Sequence, residues 1–160
     1  MGLESTILDC RTAGEICILR PGAIGADMLH KLLSAEYSDI KILTNTQLKE
    51  TTPGAVYRHY APYTAVKIIS TEQAQNMAFS SYDVIIGCDE EVTMFEGKIQ
   101  TINLGSAKDT EYIARHLYNN FQKIDDLKIS TAWYIKHTWG TSDIELAIAN
   151  RLEKAFALFT

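Results

Sequence analysis

Two short runs near the start of the chain are rich in residues that favour β-strands. They cover residues 5–10 and 15–20, and the polar segment 11–14 between them ends in a glycine. This arrangement predicts a β-hairpin. Pro21 and Gly22 then end the second predicted strand.

A helical pattern follows the hairpin. Residues 26–33 carry apolar side chains at positions 28, 29, 32 and 33, and this spacing predicts one amphipathic helix. A hairpin and a single helix cannot close a hydrophobic core, because their apolar faces need partners. We therefore expect this part of the chain to be the end of a larger domain. Residues 34–52 are polar with only short apolar interruptions.

Strand and helix patterns alternate from about residue 65 onward. The predicted strands are residues 65–69, 83–88, 98–104 and 129–135, and the predicted helices are residues 71–79, 110–123 and 142–159. Ser70 or Thr71 suits the N-cap of the first of these helices, and Ser142 with Glu145 fits a capping box for the last. The alternation predicts a small Rossmann-like α/β domain, with a mostly parallel sheet and helices on both faces.

The chain thus divides into a hairpin-plus-helix unit at 1–45, a linker at 46–64 and an α/β domain at 65–160. The linker contains the run Pro53–Pro62, whose prolines favour extended or turn geometry. Tyrosine, arginine and histidine occupy positions 57 to 60, whereas a passive linker is usually built from Gly, Ser, Pro or charged residues. We therefore expect this segment to bind something.

Composition narrows the possible functions. Hydrophobic residues make up 46% and charged residues 22%, which is typical of globular proteins. A net charge of −5 argues against direct nucleic-acid binding, which needs clustered basic residues, although a few local groups suffice for a nucleotide. The three cysteines form no CxxC pair and suggest a reducing compartment. With no membrane-length apolar run and no signal-peptide pattern, the expected location is the cytoplasm, away from the membrane.

Generic catalytic motifs give no assignment. The sequence contains no GxxxxGK[ST], GxGxxG or GxSxG pattern, and its four histidines lack metal-ligand spacing, so no metal site is predicted. Asp125 and Asp126 are more typical of a turn than of a catalytic pair. His137 and Trp139 lie in a loop at 137–141 between the last strand and helix, where α/β folds tend to bind ligands, but we favour packing or capping for it.

Four segments together resemble the long, two-domain members of the YrdC-like threonylcarbamoyl-AMP synthase family. Residues 2–9 and 18–24 are similar to the end of that family's catalytic domain, and residues 53–62 resemble its signature linker. Residues 115–126 and 147–155 resemble its C-terminal accessory domain. The segments occur in the family's order and cover essentially the whole chain, which makes the resemblance specific.

This resemblance implies a nucleotidyltransferase activity. Family members condense L-threonine, bicarbonate and ATP into threonylcarbamoyl-AMP and release pyrophosphate, and the product feeds the threonylcarbamoyladenosine modification of tRNA. ATP would be a substrate accompanied by Mg²⁺, and no tightly bound cofactor is implied. The family's catalytic domain holds ATP and threonine, its linker crosses the mouth of that site, and its accessory domain packs alongside.

The resemblance also implies substrate- and nucleotide-binding residues. Ser5 matches a hydroxyl position that lines the threonine and nucleotide pocket, and Thr6 is its neighbour. Arg20 matches a nucleotide-contacting position, which suits a guanidinium that can fork onto phosphate or carboxylate oxygens. In the linker, Tyr57 or His59 is expected to reach the phosphates or the adenylate, and Arg58 the pyrophosphate. No residue is assigned a catalytic role.

One departure from the family pattern limits these expectations. The family's catalytic domain begins with a segment carrying Lys-x-Arg and Ser-x-Asn motifs, and neither motif occurs in this sequence. The chain alone is therefore expected to be inactive, as a truncated form or an expressed piece of the enzyme. Two alternatives stay open: one half of a split two-chain enzyme, completed by a separate N-terminal piece, or a non-catalytic nucleotide-binding or regulatory module. Unsatisfied edges of the hairpin and helix also predict self-association.

Overall fold

The computed structural model describes residues 2–3, 5–44, 61–129 and 131–157. The first part forms a three-stranded sheet from β1 (Ile7–Asp9), β2 (Glu15–Arg20) and β3 (Lys41–Thr44), in the order β1-β2-β3. β1 and β2 are antiparallel, so the predicted hairpin is confirmed. Helix α1 (Ala26–Leu33) also forms as predicted and connects β2 to β3, which pair in parallel.

The second part is a four-stranded parallel sheet in the order β4-β7-β5-β6. Its strands are β4 (Ala65–Ile69), β5 (Val84–Gly87), β6 (Gln100–Asn103) and β7 (Thr131–Ile135). The helices that accompany it are α2 (Thr71–Asn76), α3 (Asp89–Val92), α4 (Thr110–Asp126) and α5 (Asp143–Phe156), and a 3₁₀ turn at Thr93–Phe95 follows α3. The predicted mostly parallel α/β class is confirmed.

Each face of the parallel sheet has its own hydrophobic core. On one face, strand residues such as Ile86 and Tyr134 pack with Leu117 of α4 and Ile148 of α5, all of them buried. On the other face, Ile69, Ile85 and Ile135 pack with residues of α2, α3 and the 3₁₀ turn, namely Ala74, Val92 and Phe95. Neighbouring residues Ile85 and Ile86 thus serve opposite cores, as the alternation of side chains along a strand requires. Helices cover both faces, as the sequence predicts.

The N-terminal unit packs against the helices of the second sheet. Leu3 is buried in the same core as α4 and α5, and a Cβ on Gly2 would lie 2.1 Å from the carbonyl oxygen of Ala114. The start of α1 meets α5, where the Asp143 carboxylate accepts hydrogen bonds from the backbone N–H groups of Asp27 and Met28 at 3.5 and 3.3 Å. The two sheets are therefore joined through helix contacts.

Some local predictions need correction. The helix predicted for residues 71–79 ends at Asn76, and the predicted turn at Asp125 and Asp126 is the last turn of α4. There Asp125 Oδ1 accepts the Thr64 N–H at 2.9 Å. Strand β3 and helix α3 were not indicated by the sequence pattern. None of the helices in the described ranges has the length and hydropathy of a membrane span.

Candidate functional site

Three of the predicted binding residues lie at one end of the β-hairpin. Arg20 pairs with Ile7 in the sheet, and its guanidinium Nε and Nη2 donate to the backbone oxygen of Ser5 at 3.0 and 2.8 Å. Thr6 Oγ1 donates to the backbone oxygen of Ile24 at 2.6 Å. The structure thus brings Ser5, Thr6 and Arg20 together. Arg20 thereby fixes the backbone just before β1 against the end of β2, and Thr6 fixes the loop before α1.

The linker candidates Tyr57, Arg58 and His59 lie outside the described residues. The chain is described again from Ala61, which packs against the core shared by α4 and α5, and Pro62 is buried. Thr64 is also buried. Its N–H donates to Asp125 Oδ1, and its hydroxyl lies 3.5 Å from the Ile129 backbone oxygen. The C-terminal end of the linker is therefore anchored on the second unit, close to the end of α4.

The parallel sheet provides a second candidate region at the carboxyl ends of its strands. Adjacent strands β5 and β7 are followed by helices on opposite faces, since α3 packs in one core and α5 in the other. In open α/β sheets, such a switch point opens a crevice that commonly binds ligands. Cys88 follows β5 and His137 follows β7, so both side chains reach this crevice.

Glu91 connects these two residues. Its Oε2 accepts the Cys88 N–H at 3.0 Å, and its Oε1 lies 2.7 Å from His137 Nδ1. The side chains of Glu91 and His137 are 10% and 22% exposed, and Cys88 is fully buried. The Trp139 ring meets the His137 ring edge-on at 4.7 Å and helps to orient it. Sequence inspection missed this cluster, because 46 residues separate Glu91 from His137.

The surroundings of Cys88 are strongly acidic. Burial raises the pKa of the Cys88 thiol well above its usual value, and the carboxylates of Glu91, Glu90 and Asp89 raise it further. Burial also acts to raise the pKa of Glu90, but hydrogen bonds from the Ala107 N–H and the Ser106 hydroxyl outweigh it and lower that pKa. The thiol is therefore protonated at neutral pH and poorly suited to act as a free nucleophile.

Two open cavities flank the cluster along the same edge of the sheet. The first, of about 450 Å³, lies beyond β5 and β6 and is lined by Asp89, Asn103, Gly105, Ser106, Asp109 and Tyr112. The second, of about 360 Å³, lies beyond β4 and β7 and is lined by Ile68, Ile69, Ser70, Gln73, Lys136 and Thr138. Lys136 in this second cavity is already paired with Glu153 at 2.8 Å.

Comparison with known proteins identifies the family. Residues 24–157 match the family model described as threonylcarbamoyl-AMP synthase, C-terminal domain. The chain belongs to this family. The threonylcarbamoyl-AMP synthase of Bacillus subtilis (strain 168) is 28% identical over 164 residues, covering 97% of this chain but 45% of the relative. The chain therefore spans about half the length of this curated relative.

Solved structures share the fold of this chain. The crystal structure of P. abyssi Sua5 complexed with L-threonine matches with a TM-score of 0.61 and 21% identity, over 98% of this chain and 46% of that one. A variant of P. abyssi Sua5 with two alanine substitutions matches with a TM-score of 0.62 and 20% identity, over 99% of this chain and 46% of that one. These two matches show the fold, and the match of residues 24–157 to the family model confirms the family resemblance seen in the sequence.

Proposed function

We propose that this chain is the C-terminal part of a threonylcarbamoyl-AMP synthase. The complete enzyme would join L-threonine, bicarbonate and Mg²⁺-bound ATP into threonylcarbamoyl-AMP for tRNA modification in the cytoplasm. The observation that carries the proposal is the match of residues 24–157 to the family's C-terminal domain. The alignment of 97% of the chain to the Bacillus subtilis threonylcarbamoyl-AMP synthase supports it. The presence of L-threonine in the P. abyssi Sua5 crystal structure supports threonine as a substrate.

In this proposal the hairpin unit contributes one wall of the synthase site. Ser5 and Thr6 lie beside Arg20, whose side chain fixes the backbone at Ser5 through two hydrogen bonds. The linker residues Tyr57, Arg58 and His59 would close over that wall, with Arg58 balancing the charge of the departing pyrophosphate. Positioning of the wall by Arg20 matters because small displacements of binding groups are costly in catalysis.

The remaining walls of the site would come from the other half of the synthase. Ile24, Met28, Leu32 and Leu43 are large apolar residues of the N-terminal unit that are between 43% and 61% exposed. An α/β unit normally buries such residues against further sheet and helices. We therefore infer that the rest of the enzyme, as the same chain or as a separate piece, covers them, and that the 160 residues alone do not turn over.

A chimera tests this function. The 160-residue chain would replace the corresponding C-terminal region of the Bacillus subtilis synthase, and pyrophosphate release would be followed with L-threonine, bicarbonate and ATP. We expect the chimera to be active and the isolated chain to be inactive. Arg58→Ala in the chimera should lower the rate about a hundredfold or more, the effect of losing one charge-stabilising contact.

The matched control is Arg115→Ala, since Arg115 is an exposed arginine that pairs with Glu111 on the surface of α4. It should leave the rate unchanged. A folded chimera that releases no pyrophosphate would overturn the proposal, as would threonine-dependent turnover by the isolated chain. If the two arginine substitutions lower the rate equally, Arg58 does not belong to the site.

A further inference from the structure

We propose that Cys88, Glu91 and His137 form a binding site for a divalent transition-metal ion of the zinc type. Within the described part of the chain, the Cys88 sulfur, a Glu91 carboxylate oxygen and a His137 ring nitrogen all lie within 4.8 Å of one another. Sulfur, imidazole nitrogen and carboxylate oxygen are the ligand atoms that zinc takes in proteins. A soft thiolate next to an imidazole disfavours Mg²⁺ and Ca²⁺, which prefer oxygen-only surroundings.

The geometry needs only small adjustments to hold an ion. Tetrahedral zinc with bonds of about 2.0–2.3 Å places its ligand atoms roughly 3.3–3.5 Å apart. Glu91 Oε1 and His137 Nδ1, at 2.7 Å, must therefore separate slightly, whereas the Cys88 sulfur already lies within 4.8 Å of both ligand atoms. The Glu91 carboxylate is fixed meanwhile, since its other oxygen accepts the Cys88 N–H. Such hydrogen bonds to a ligand are typical of metal sites.

The charge around the cluster also favours a cation. Asp89, Glu90 and Glu91 are consecutive acidic residues that surround the buried thiol. Binding would displace the thiol proton to solvent and join the metal to the sulfur. The hydrogen that Nδ1 of His137 shares with Glu91 Oε1 would leave to solvent, or move to Nε2 by a change of tautomer, so that Nδ1 can coordinate the metal. His137 is the most exposed of the three side chains, so an ion would enter from its side.

This site is independent of the proposed synthase site. Ser5 and Thr6 precede β1 and Arg20 ends β2 of the three-stranded sheet, whereas the cluster lies at the carboxyl ends of β5 and β7 of the parallel sheet. Its position is the switch point where connections leave the sheet on opposite faces. The test therefore measures metal binding by the 160-residue chain itself and does not depend on any activity.

Cobalt is the most informative probe. The chain would be stripped with a chelator and titrated with Co²⁺ while its absorption spectrum is recorded. We expect saturation at one equivalent, with a thiolate-to-cobalt charge-transfer band in the near ultraviolet and visible bands of tetrahedral intensity. Zn²⁺ should then displace Co²⁺ and abolish the spectrum, and it should raise the melting temperature of the stripped chain, as a ligand specific for the folded state does.

Matched variants locate the site. Cys88→Ala should remove the charge-transfer band, while Glu91→Gln and His137→Gln should each weaken Co²⁺ binding at least tenfold. Cys17→Ala and His116→Gln are the controls, since both residues lie elsewhere in the fold, in β2 and α4, and should leave the titration unchanged. Circular dichroism establishes that each variant is folded.

Two results would overturn the proposal. One is the absence of stoichiometric Co²⁺ binding by the folded, reduced chain, which would assign the cluster to helix capping alone. The other is a charge-transfer band that survives Cys88→Ala, which would place the metal on another thiol. If Cys88→Ala fails to fold, His137→Gln decides, because its partly exposed side chain can change without opening the core; an unchanged affinity in that variant rejects the site.

Discussion

At the scale of single residues, Asp83 and Trp133 form a polar contact that joins the start of β5 to β7. Asp83 Oδ1 accepts the Trp133 indole N–H at 2.9 Å, and Oδ2 accepts the N–H and hydroxyl of Ser80 at 2.7 and 2.9 Å. These bonds, led by the one from Trp133, lower the pKa of Asp83 below its usual value despite partial burial. A carboxylate with a lowered pKa stabilises the folded state only while it is ionised.

The lowered pKa of Asp83 determines how its contribution to stability changes with pH. The contribution of Asp83 should be complete above about pH 5, and it should disappear as the pH falls below the ordinary aspartate pKa of about 3.9 toward the lower folded value. Asp83→Asn should cost about 1 kcal/mol near neutral pH, the usual net value of such hydrogen bonds, and less in acid. Urea unfolding of both proteins between pH 7 and 3 measures this difference. Glu96→Gln, at an exposed position, is the control; a difference that grows on acidification would contradict the assignment.

Contacts between single residues differ in how well the sequence predicts them. The capping box of Ser142 with Glu145 is confirmed, and of the two predicted N-caps Ser70 and Thr71 the structure has Ser70, because such signals involve residues within three positions of one another. The Asp83–Trp133 bond and the Glu91–His137 contact span 50 and 46 residues. Only the order of strands in the sheet brings such partners together, so no local pattern could reveal them.

At the scale of elements, the α1–α5 contact couples the two sheets. Asp143 lies in the first turn of α5, and its carboxylate caps the N-terminus of α1. Gly25 precedes α1 at the point of closest approach, where an added Cβ would lie 2.1 Å from the Asp143 carboxyl carbon. The absence of a side chain at Gly25 thus allows one helix to be capped by another.

Removal of this cap should loosen α1 specifically. Asp143→Ala should destabilise the chain by about 1 kcal/mol, the typical value of an N-cap side chain, and Asp143→Asn by less because its amide oxygen still accepts. Hydrogen exchange at the Asp27 and Met28 amides should become faster, and urea unfolding gives the free energy. Asp126→Ala is the control, since Asp126 is an exposed aspartate in the last turn of α4. If hydrogen exchange at both amides is unchanged, the Asp143 carboxylate does not stabilise the N-terminus of α1.

Elements with strong internal patterns are predictable, and those defined by their neighbours are not. Helix α4 follows from its apolar spacing, with Ile113, Leu117 and Phe121 buried along one side. Strand β3 has four residues, three of them exposed, and it exists because β2 offers a parallel edge to pair with. Helix α3 is a single turn held by the Glu91 carboxylate. Neither of these two short elements carries enough periodicity to be recognised alone.

At the scale of the whole molecule, the two units bury their apolar residues unequally. The parallel sheet is covered on both faces, and its central residues Ile85 and Ile86 are fully buried. In the three-stranded sheet and α1, only Ile18 and Leu29 fall among the buried apolar residues, while Met28 and Leu32 are largely exposed. The sequence predicts this imbalance, because a hairpin and one helix offer too little surface to close a core.

This exposed face should make the isolated chain self-associate, since apolar patches on a surface tend to be interaction sites. Light scattering coupled to size-exclusion chromatography should show a mass that rises with concentration, and the double substitution Met28→Glu with Leu32→Glu should return it toward the monomer. Tyr82→Glu is the control, because Tyr82 is 86% exposed and lies in the turn before β5. A wild-type monomer at every concentration would refute the prediction, as would association that persists in the double variant. If the rest of the synthase covers the same face, the chimera should remain monomeric at concentrations where the isolated chain associates.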